Sequence, residues 1–388
     1  MTMPNVDSVR MKENLATIVA INTENPPGKE IEAAQCAAGW LSEFGFDVSY
    51  SEYAPSRTNM IAVLENGEGP CFAFNTHLDV VPAGIGWSSD PFVLTEREGR
   101  LYGRGSCDAK GPLVGMVEAA RMLASNRELW SGRLMVIFTA DEEVASEGAK
   151  YYVKNQPAKI DFAVIGEPTS NAVFSAHKGS LRPVIKVKGL AAHSGTPDLG
   201  VNAIYKAGQL LGLVEKSHHE EVCCRHHPLV GNASLTVTRI HGGHADNVVP
   251  QDCEIMLDRR MVPGEDESLV KEEIQQLLDV AQQQFGVEAE IVRWQPTTGG
   301  ATQTSADEKI VQVGLAASQR YGQSDPGPYG FQGGCDLVHF RALGAKGIVI
   351  GPGSLAVAHK PDEFVPIEEF IATASIYFDI AIAMLGVD

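Results

Sequence analysis

An apolar segment that ends in a histidine and a carboxylate constrains this chain more than any other. Residues 71–76, Cys-Phe-Ala-Phe-Asn-Thr, are preceded by Gly-Pro and followed by His77-Leu-Asp79. Such a run is typical of a strand buried inside a sheet. Because residues two apart on an extended chain point to the same side, Asp79 can reach the His77 imidazole and fix its tautomer, as a metal-binding histidine requires. A hydrogen-bonded core histidine also explains this pair.

Predicted strands and helices alternate on both sides of this segment. The apolar periodicity indicates helices at 11–21, 30–44, 111–124 and 146–155, and strands at 47–53, 59–64, 133–139 and 162–166. This alternation predicts an α/β layered fold with a largely parallel sheet. Ligands of such folds bind at the carboxyl ends of strands.

The pattern changes near Leu181. From there to residue 294 the order is strand, helix, strand, strand, helix, strand, which is the βαββαβ order of a ferredoxin-like unit. The first pattern resumes with a helix at 308–321 and a strand at 346–350. We therefore predict a discontinuous domain, formed by residues 1–180 and 295–388, with an inserted domain at 181–294.

The charge of the chain limits its partners. Its 31 basic and 49 acidic residues give a net charge of −18, which disfavours nucleic acids and anionic membrane surfaces. The acidity suits metal ions or cationic substrates, and a solvated acidic surface also explains it. Seven cysteines without a C-x-x-C pair indicate a reducing compartment.

Neither end of the chain predicts contact with a membrane. Four charged residues between positions 7 and 13 lie where an export signal needs an apolar core, so we predict a cytoplasmic protein. The apolar stretch 370–387 contains Asp379 and lacks a flanking basic cluster. We therefore predict that it forms a buried helix.

Further histidines and carboxylates follow predicted strands or a glycine-rich loop. They are Asp108 in the loop 103–111, the run Asp141-Glu142-Glu143, Glu167 in Gly-Glu-Pro-Thr, and His359 in Ala-His-Lys-Pro. Each could be structural in isolation. Crowded carboxylates cost energy unless a cation compensates their charge. Taken together, these residues match the ligand set of a two-metal hydrolytic site.

The motifs and their order resemble those of the M20 family of dinuclear zinc amidohydrolases. The resemblance spans nearly the whole chain and, within the family, points to deacylases of N-acetyl and N-succinyl amino acids. It implies two Zn²⁺ ions, for which Co²⁺ or Mn²⁺ could substitute. His77 and Glu167 would hold one ion, Glu143 and His359 the other, and Asp108 would bridge them.

The resemblance also implies the catalytic roles. Glu142 would be the general base that takes a proton from water and passes it to the departing amine. Asp79 would orient His77, and the peptide bond after Asp108 would be cis. Nucleophilic catalysis by Cys107 is the competing route, but the neighbouring carboxylates disfavour a thiolate.

By the same resemblance, the discontinuous domain would be a zinc-peptidase-like catalytic domain. The inserted domain would be a lid and a dimerisation domain, so that the protein would be a homodimer. His193 would reach a neighbouring active site and stabilise the oxyanion, although a surface histidine is the alternative. Asn247 and Arg260 would bind the substrate carboxylate, a task that suits a guanidinium. Arg259 is a rival, because neighbouring residues on a strand face opposite sides.

An N-acyl amino acid is the predicted substrate. The segment Gly333-Gly334-Cys335-Asp336 departs from the pattern of the acyl amino acid deacylases, which leaves the side-chain pocket open. A metallo-dipeptidase or a glutamate-releasing carboxypeptidase of the same family is the alternative. A metal-free binding protein on the same fold is the alternative from another class.

A second group of histidines and cysteines lies between His218 and His227. It includes the adjacent pair Cys223-Cys224, which lacks the usual spacing of zinc ligands. We therefore predict a polar loop after a helix there.

Overall fold

The computed structural model describes residues 5–156 and 158–386. They form two compact units. The larger unit comprises the described residues up to Ser175, Gln303–Gly330 and the described residues from Cys335 onward, and the inserted unit comprises Ala176–Thr302 and Phe331–Gly334. The α/β fold class is confirmed. The catalytic and lid roles, and the domain boundaries drawn from the sequence, stay predictions.

The first part of the chain alternates between helices and strands. Its elements are α1 (Ser8–Ala20), α2 (Ile31–Glu43), β1 (Asp47–Ala54), β2 (Arg57–Asn66), β3 (Cys71–His77), β4 (Thr95–Arg97), β5 (Arg100–Tyr102), α3 (Lys110–Ala124), a 3₁₀ turn (Arg127–Leu129), β6 (Gly132–Thr139), α4 (Glu147–Asn155), β7 (Phe162–Ile165) and β8 (Phe174–His177).

The inserted unit has the predicted βαββαβ order. Its elements are β9 (Gly179–Lys188), β10 (Ala192–His193), a 3₁₀ turn (Pro197–Leu199), α5 (Ala203–Ser217), a π-helical turn (His218–Val222), β11 (His226–His227), β12 (Gly231–Asn232), β13 (Ser234–Gly242), β14 (Val248–Val249), β15 (Asp252–Met261), α6 (Glu267–Phe285) and β16 (Ala289–Gln295). The four long strands form an antiparallel sheet in the order β13-β15-β9-β16.

The last part of the chain returns to the larger unit. Its elements are β17 (Thr302–Gln303), α7 (Lys309–Arg320), β18 (Tyr329–Phe331), α8 (Leu337–Ala342), β19 (Lys346–Val349), β20 (Phe364–Pro366) and α9 (Ile367–Leu385). The main sheet runs in the order β1-β2-β6-β3-β7-β19-β8-β17, with β18 paired to β8.

The main sheet is parallel only in its middle. Strands β6, β3, β7 and β19 are parallel, whereas β1, β2 and β8 pair antiparallel with their neighbours. The prediction of a largely parallel sheet therefore holds for the centre and is wrong at the edges. A two-residue connection joins β1 to β2, and so short a connection permits only antiparallel pairing.

Strand β3 is buried along its whole length. Phe72 and Phe74 face a core formed with α1, α2, α3 and α9, and Ala73 faces a second core on the opposite side of the sheet. Because successive side chains alternate between the faces of a strand, both faces must be apolar. This burial explains why the segment has no polar side chain before Asn75.

The C-terminal apolar stretch forms the buried helix α9, as predicted, except that Val387 lies outside the described residues. Asp379 on this helix pairs with Arg320 at 2.6 Å. No helix in the described ranges combines the length and apolarity that crossing a membrane requires. A cytoplasmic location stays a prediction.

Candidate metal centre

The candidate ligands gather because neighbouring parallel strands end at the same edge of the main sheet. His77 is the last residue of β3, and Glu167 follows β7, which pairs with β3. Glu142 and Glu143 follow β6 on the other side of β3. The carboxyl edge of the sheet thus collects side chains that lie up to 90 residues apart along the chain.

Asp108 lies between the two histidines. Its Oδ1 is 3.1 Å from His77 Nε2, and its Oδ2 is 3.2 Å from His359 Nε2. His359 Nε2 is also 3.0 Å from Glu143 Oε2. A carboxylate that directs one oxygen to each histidine has the arrangement that a bridging ligand needs.

Two sets of three residues could each hold a metal ion, because the ligand atoms within each set lie within 4.8 Å of one another. One set comprises His77, Glu142 and Glu167, and the other comprises His77, Asp108 and Glu143. The structure therefore brings together all six residues of the larger unit that the sequence assigned to metal binding or proton transfer, since His359 contacts the second set.

Burial makes the three glutamates of this centre hard to ionise. Burial and the nearby charge of Glu167 raise the pKa of Glu142 well above its usual value. Burial likewise raises the pKa of Glu167, and burial together with the Asp108 charge raises the pKa of Glu143. A cation at the centre would offset this cost.

The surrounding carboxylates favour the protonated forms of the two imidazoles. Hydrogen bonds to Asp108 and Glu143 raise the pKa of His359 to about 10. Burial lowers the pKa of His77, but its bond to Asp108 and the charges around it raise that pKa well above the usual value. Burial would raise the pKa of Asp108, yet the two imidazoles bring it well below its usual range.

The residues present fit two divalent ions. The donor set of two imidazoles and three carboxylates is the mixed nitrogen and oxygen set that zinc and similar ions accept. Glu143 Oε1 is buried and has no hydrogen-bond partner among the described residues. An unpaired buried carboxylate oxygen is costly, and a bound cation would satisfy it.

Asp79 contacts His77 in another way than the sequence analysis proposed. His77 Nδ1 lies 2.8 Å from the main-chain carbonyl of Asp79, whereas the carboxylate is 3.7 Å away. The carboxylate instead accepts the N–H groups of Glu142 and Glu143 at 3.1 and 3.2 Å. Asp79 therefore holds the imidazole through its backbone and the turn after β6 through its side chain.

Asp141, the first of the three carboxylates after β6, has partners outside the proposed ligand set. Asp141 accepts from Arg57 Nη2 at 2.7 Å and from Asn25 Nδ2 at 2.9 Å. Asn25 also donates to Asp79 at 2.8 Å, and Arg57 pairs with the buried Glu30. This network connects Asp79 and Asp141 to residues outside the ligand set. Asn25, Arg57 and Glu30 were not predicted from the sequence, because each stands in an unremarkable polar context.

Cys107 is placed unfavourably for nucleophilic catalysis. The thiol is buried and lies 3.6 Å from the carbonyl oxygen of Ser354. Burial and the charges of Glu363 and Asp108 raise its pKa well above the usual value. Because the thiolate is the nucleophile, the surroundings disfavour this route. The Asp108–Ala109 peptide bond is cis.

Within the inserted unit, His193 and Asn247 lie side by side. His193 lies on β10, which pairs with β14, and β14 begins with the residue after Asn247. The Ser194 N–H donates to the Asn247 carbonyl at 2.9 Å. The His193 side chain is exposed, and its Nδ1 accepts from the Gly195 N–H. Two of the three residues assigned to this unit are thus neighbours.

The two candidate arginines differ in their freedom to bind a ligand. Arg259 is buried and paired with Glu265. Arg260 is partly exposed and contacts Asp258 at 2.7 Å. An outward guanidinium is the better candidate for a substrate carboxylate, so the structure favours Arg260.

Within the described residues, the histidines and cysteines between 218 and 227 form no cluster of side chains that could hold a metal ion. The Cys223 thiol contacts the His219 carbonyl, the Cys224 thiol contacts the Glu220 carbonyl, and His218 Nδ1 accepts from Leu235 N–H. The prediction of a polar loop is wrong at the start of this segment, because His218–Val222 continues α5 as a π-helical turn.

Comparison with known proteins identifies the family. The model of peptidase family M20/M25/M40 matches residues 73–383, a range that includes every candidate ligand. The chain belongs to this family. The predicted M20 membership is thereby confirmed, and the protein is an M20 hydrolase.

Two curated relatives of this chain are named as acyl amino acid deacylases. An acetylornithine deacetylase of Vibrio cholerae serotype O1 is 31% identical over 334 residues, which cover 85% of each chain. A probable succinyl-diaminopimelate desuccinylase of Staphylococcus epidermidis is 29% identical over 408 residues, which cover 98% of each chain. The predicted resemblance to such deacylases is confirmed.

Two solved structures share the fold of this M20 chain. Aminopeptidase PepT of Bacillus cereus has a TM-score of 0.79 at 19% identity, with 98% of this chain and 99% of that chain covered. The YXEP protein of Bacillus subtilis, a dinuclear metal-binding M20 peptidase, has a TM-score of 0.74 at 18% identity, with 97% of each chain covered.

Proposed function

We propose that this M20 hydrolase is a dinuclear metal-dependent amidohydrolase that removes the N-acyl group from an N-acyl amino acid. The observation that carries the proposal is the position of Asp108 between His77 and His359, with Glu142 close to His77 and Glu167. The names of the curated relatives support the substrate class.

The proposed ions are two Zn²⁺, with Co²⁺ or Mn²⁺ as substitutes. His77 and Glu167 would hold one ion, Glu143 and His359 would hold the other, and Asp108 would bind both. When bound, they would polarise the scissile carbonyl and lower the pKa of the attacking water.

Glu142 is the proposed general base. Its carboxylate would accept the proton of the attacking water and would then deliver it to the nitrogen of the departing amine. The Asp79 carboxylate supports this role, because it accepts the N–H groups of both Glu142 and Glu143. The general base and a metal ligand are thus held by one buried side chain.

The inserted unit is proposed to complete the site as a lid. His193 would stabilise the oxyanion from a neighbouring copy, and Asn247 and Arg260 would bind the substrate carboxylate. The partly exposed guanidinium of Arg260 supports this assignment.

The inserted unit is also proposed to form the homodimer. It exposes a group of large apolar side chains, of which Leu199 and Tyr205 are 74% and 76% accessible. Leu190 and Val201, also exposed, pair with each other in the same region. Exposed apolar patches of this kind mark interaction surfaces, and β13 is an edge strand of the sheet.

A peptide is the second candidate substrate. The two solved structures compared above are named as peptidases, so a metallo-dipeptidase or a glutamate-releasing carboxypeptidase is the alternative enzyme. A metal-free binding protein is a weaker proposal, because a buried cluster of carboxylates without a cation is costly.

Hydrolysis of a small substrate panel tests the function. The panel contains N-acetylornithine, N-succinyl-diaminopimelate, N-acetylmethionine and a dipeptide, each with the zinc-loaded wild type, Glu142→Gln and the control Glu147→Gln. We expect one acyl amino acid to be hydrolysed. We also expect Glu142→Gln to lower kcat by about 10²–10⁴ with unchanged metal content, as for loss of a general base.

The control substitution removes an exposed carboxylate that pairs only with Lys150 among the described residues, so it should leave kcat unchanged. Preferred cleavage of the dipeptide would replace the deacylase by the peptidase. If nothing is hydrolysed by protein that binds two ions, the proposed substrate classes are wrong.

A further inference from the structure

Glu363 joins the loop that carries Asp108 to the segment that carries His359. Its side chain is completely buried. One oxygen, Oε1, accepts three main-chain N–H groups, those of Gly105 at 3.1 Å and of Cys107 and Asp108 at 3.0 Å. A single carboxylate oxygen thus fixes the backbone on which the bridging ligand stands.

The same residue is attached to this loop at two further points. Its other oxygen, Oε2, forms an ion pair with Arg104 Nη1, and Arg104 is itself buried. Its main-chain carbonyl accepts the Gly103 N–H at 3.0 Å. The loop from 103 to 108 therefore closes around Glu363.

The proposed ligands differ in how they are supported. His77 stands on β3, whose ladder bonds to β6 and β7 hold it on both sides. His359 stands in a loop, and its side chain is 53% exposed whereas that of His77 is 1% exposed. Three residues lie between His359 and Glu363, so the buried Glu363 carboxylate anchors the chain shortly after His359.

We infer that Glu363 is a positioning residue of the metal centre: by binding the Asp108 loop it sets the distance between Asp108 and His359, and so the affinity for the ion held by His359 and Glu143. The inference rests on the proposed two-metal function. Residues that orient metal ligands typically contribute a factor of about 10–100 to metal affinity. The ion held by His77 and Glu167 would share the Asp108 ligand, but it depends less on Glu363 because its other two ligands stand at the end of β3 or shortly after β7.

Zinc titration of the metal-free full-length protein tests the inference. Zn²⁺ is added in competition with a chromophoric chelator to the wild type, Glu363→Gln and the double variant Arg104→Gln/Glu363→Gln. In both variants we expect one of the two ions to bind about 10–100-fold more weakly, while the other changes by less than about threefold. The double variant leaves no buried arginine unpaired, so it decides the question if Glu363→Gln does not fold.

Glu118→Gln is the matched control. Glu118 is also a buried carboxylate, and it pairs with Arg10 and Arg121 and accepts the Asp7 N–H. Its substitution should lower the melting temperature of the metal-free protein and leave both zinc affinities unchanged. A purely structural role of Glu363 would give the same result as this control.

The outcomes separate this inference from the proposed function. If the wild type binds two ions and Glu363→Gln or the double variant binds both with wild-type affinity, the inference is wrong and the two-metal proposal stands. Equal weakening of both ions would also overturn it, because Glu363 would then act on the whole centre. If the wild type binds no zinc, the proposed function itself is wrong.

Discussion

At the level of single residues, the metal-free centre balances its charge with protons. His359 has a pKa raised to about 10 by its bonds to Asp108 and Glu143, so the imidazole is protonated at neutral pH. A metal ion binds only the neutral imidazole. Loading the centre therefore requires the histidine to lose its proton, and metal and proton compete for the same nitrogen.

This competition predicts proton release when metal binds. At about pH 7.5, zinc binding to the metal-free protein should release at least about one proton per chain. The measurement is calorimetric titration in buffers with different ionisation enthalpies, in which the apparent binding enthalpy should vary with the buffer. His359→Gln should release fewer protons, because it lacks the imidazole of raised pKa. An enthalpy that is independent of the buffer would contradict the assignment of His359 as a protonated ligand.

At the level of elements, close packing of α3 against the preceding loop places Asp108. A Cβ atom on Gly111, in the first turn of α3, would lie 2.3 Å from the main-chain oxygen of Ser106. This oxygen belongs to the loop that carries Asp108. Gly39 on α2 differs, because a Cβ there would meet no atom within 4 Å.

The same substitution should therefore have opposite effects in the two helices. Gly39→Ala should raise the free energy of unfolding by about 0.5–1 kcal/mol, because alanine loses less conformational entropy in a helix. Gly111→Ala should lower it by about 1–3 kcal/mol, the usual cost of overpacking. Urea unfolding of the metal-free proteins measures both changes. Equal stabilisation by both substitutions would show that the loop before α3 moves to accommodate the added methyl group, and would contradict the prediction.

At the level of the whole molecule, the proposed dimer and the proposed role of His193 are linked. If His193 serves the site of its neighbour, a chain lacking Glu142 and a chain lacking His193 can complement each other. In the mixed dimer one site would combine the intact Glu142 of one chain with the intact His193 of the other. If His193 serves its own chain, each site of the mixed dimer lacks one of the two residues.

Co-expression of Glu142→Gln with His193→Ala tests this link. For random pairing we expect about a quarter of the wild-type activity, because about half of the dimers are mixed and each has one intact site. Separately purified, each variant should have little activity. Tyr205→Glu, which places a charge in the exposed apolar group, should give a monomer by light scattering and abolish the complementation. Absence of recovery from verified mixed dimers would place His193 in its own chain's site.

The sequence by itself determined the residue types and their places along the chain. Each ligand follows an apolar segment or a glycine-rich loop, and these local patterns predict buried strands and tight turns whose ends share one edge of a sheet. The fold class, the βαββαβ order of the inserted unit and the burial of α9 follow from the same periodicities. These features depend on neighbouring residues, which a sequence displays directly.

Only the tertiary structure showed that Asp141 has partners of its own, apart from the two glutamates that follow it. Its residue type does not distinguish it from them, but Asp141 has a φ of 70° and binds Arg57, which lies 84 residues away. The carboxylate of Asp79 accepts the N–H groups of Glu142 and Glu143, whereas the sequence pattern predicted a contact between this carboxylate and the imidazole. Such partners depend on turn geometry and on contacts between distant segments, and no local pattern in the sequence records either.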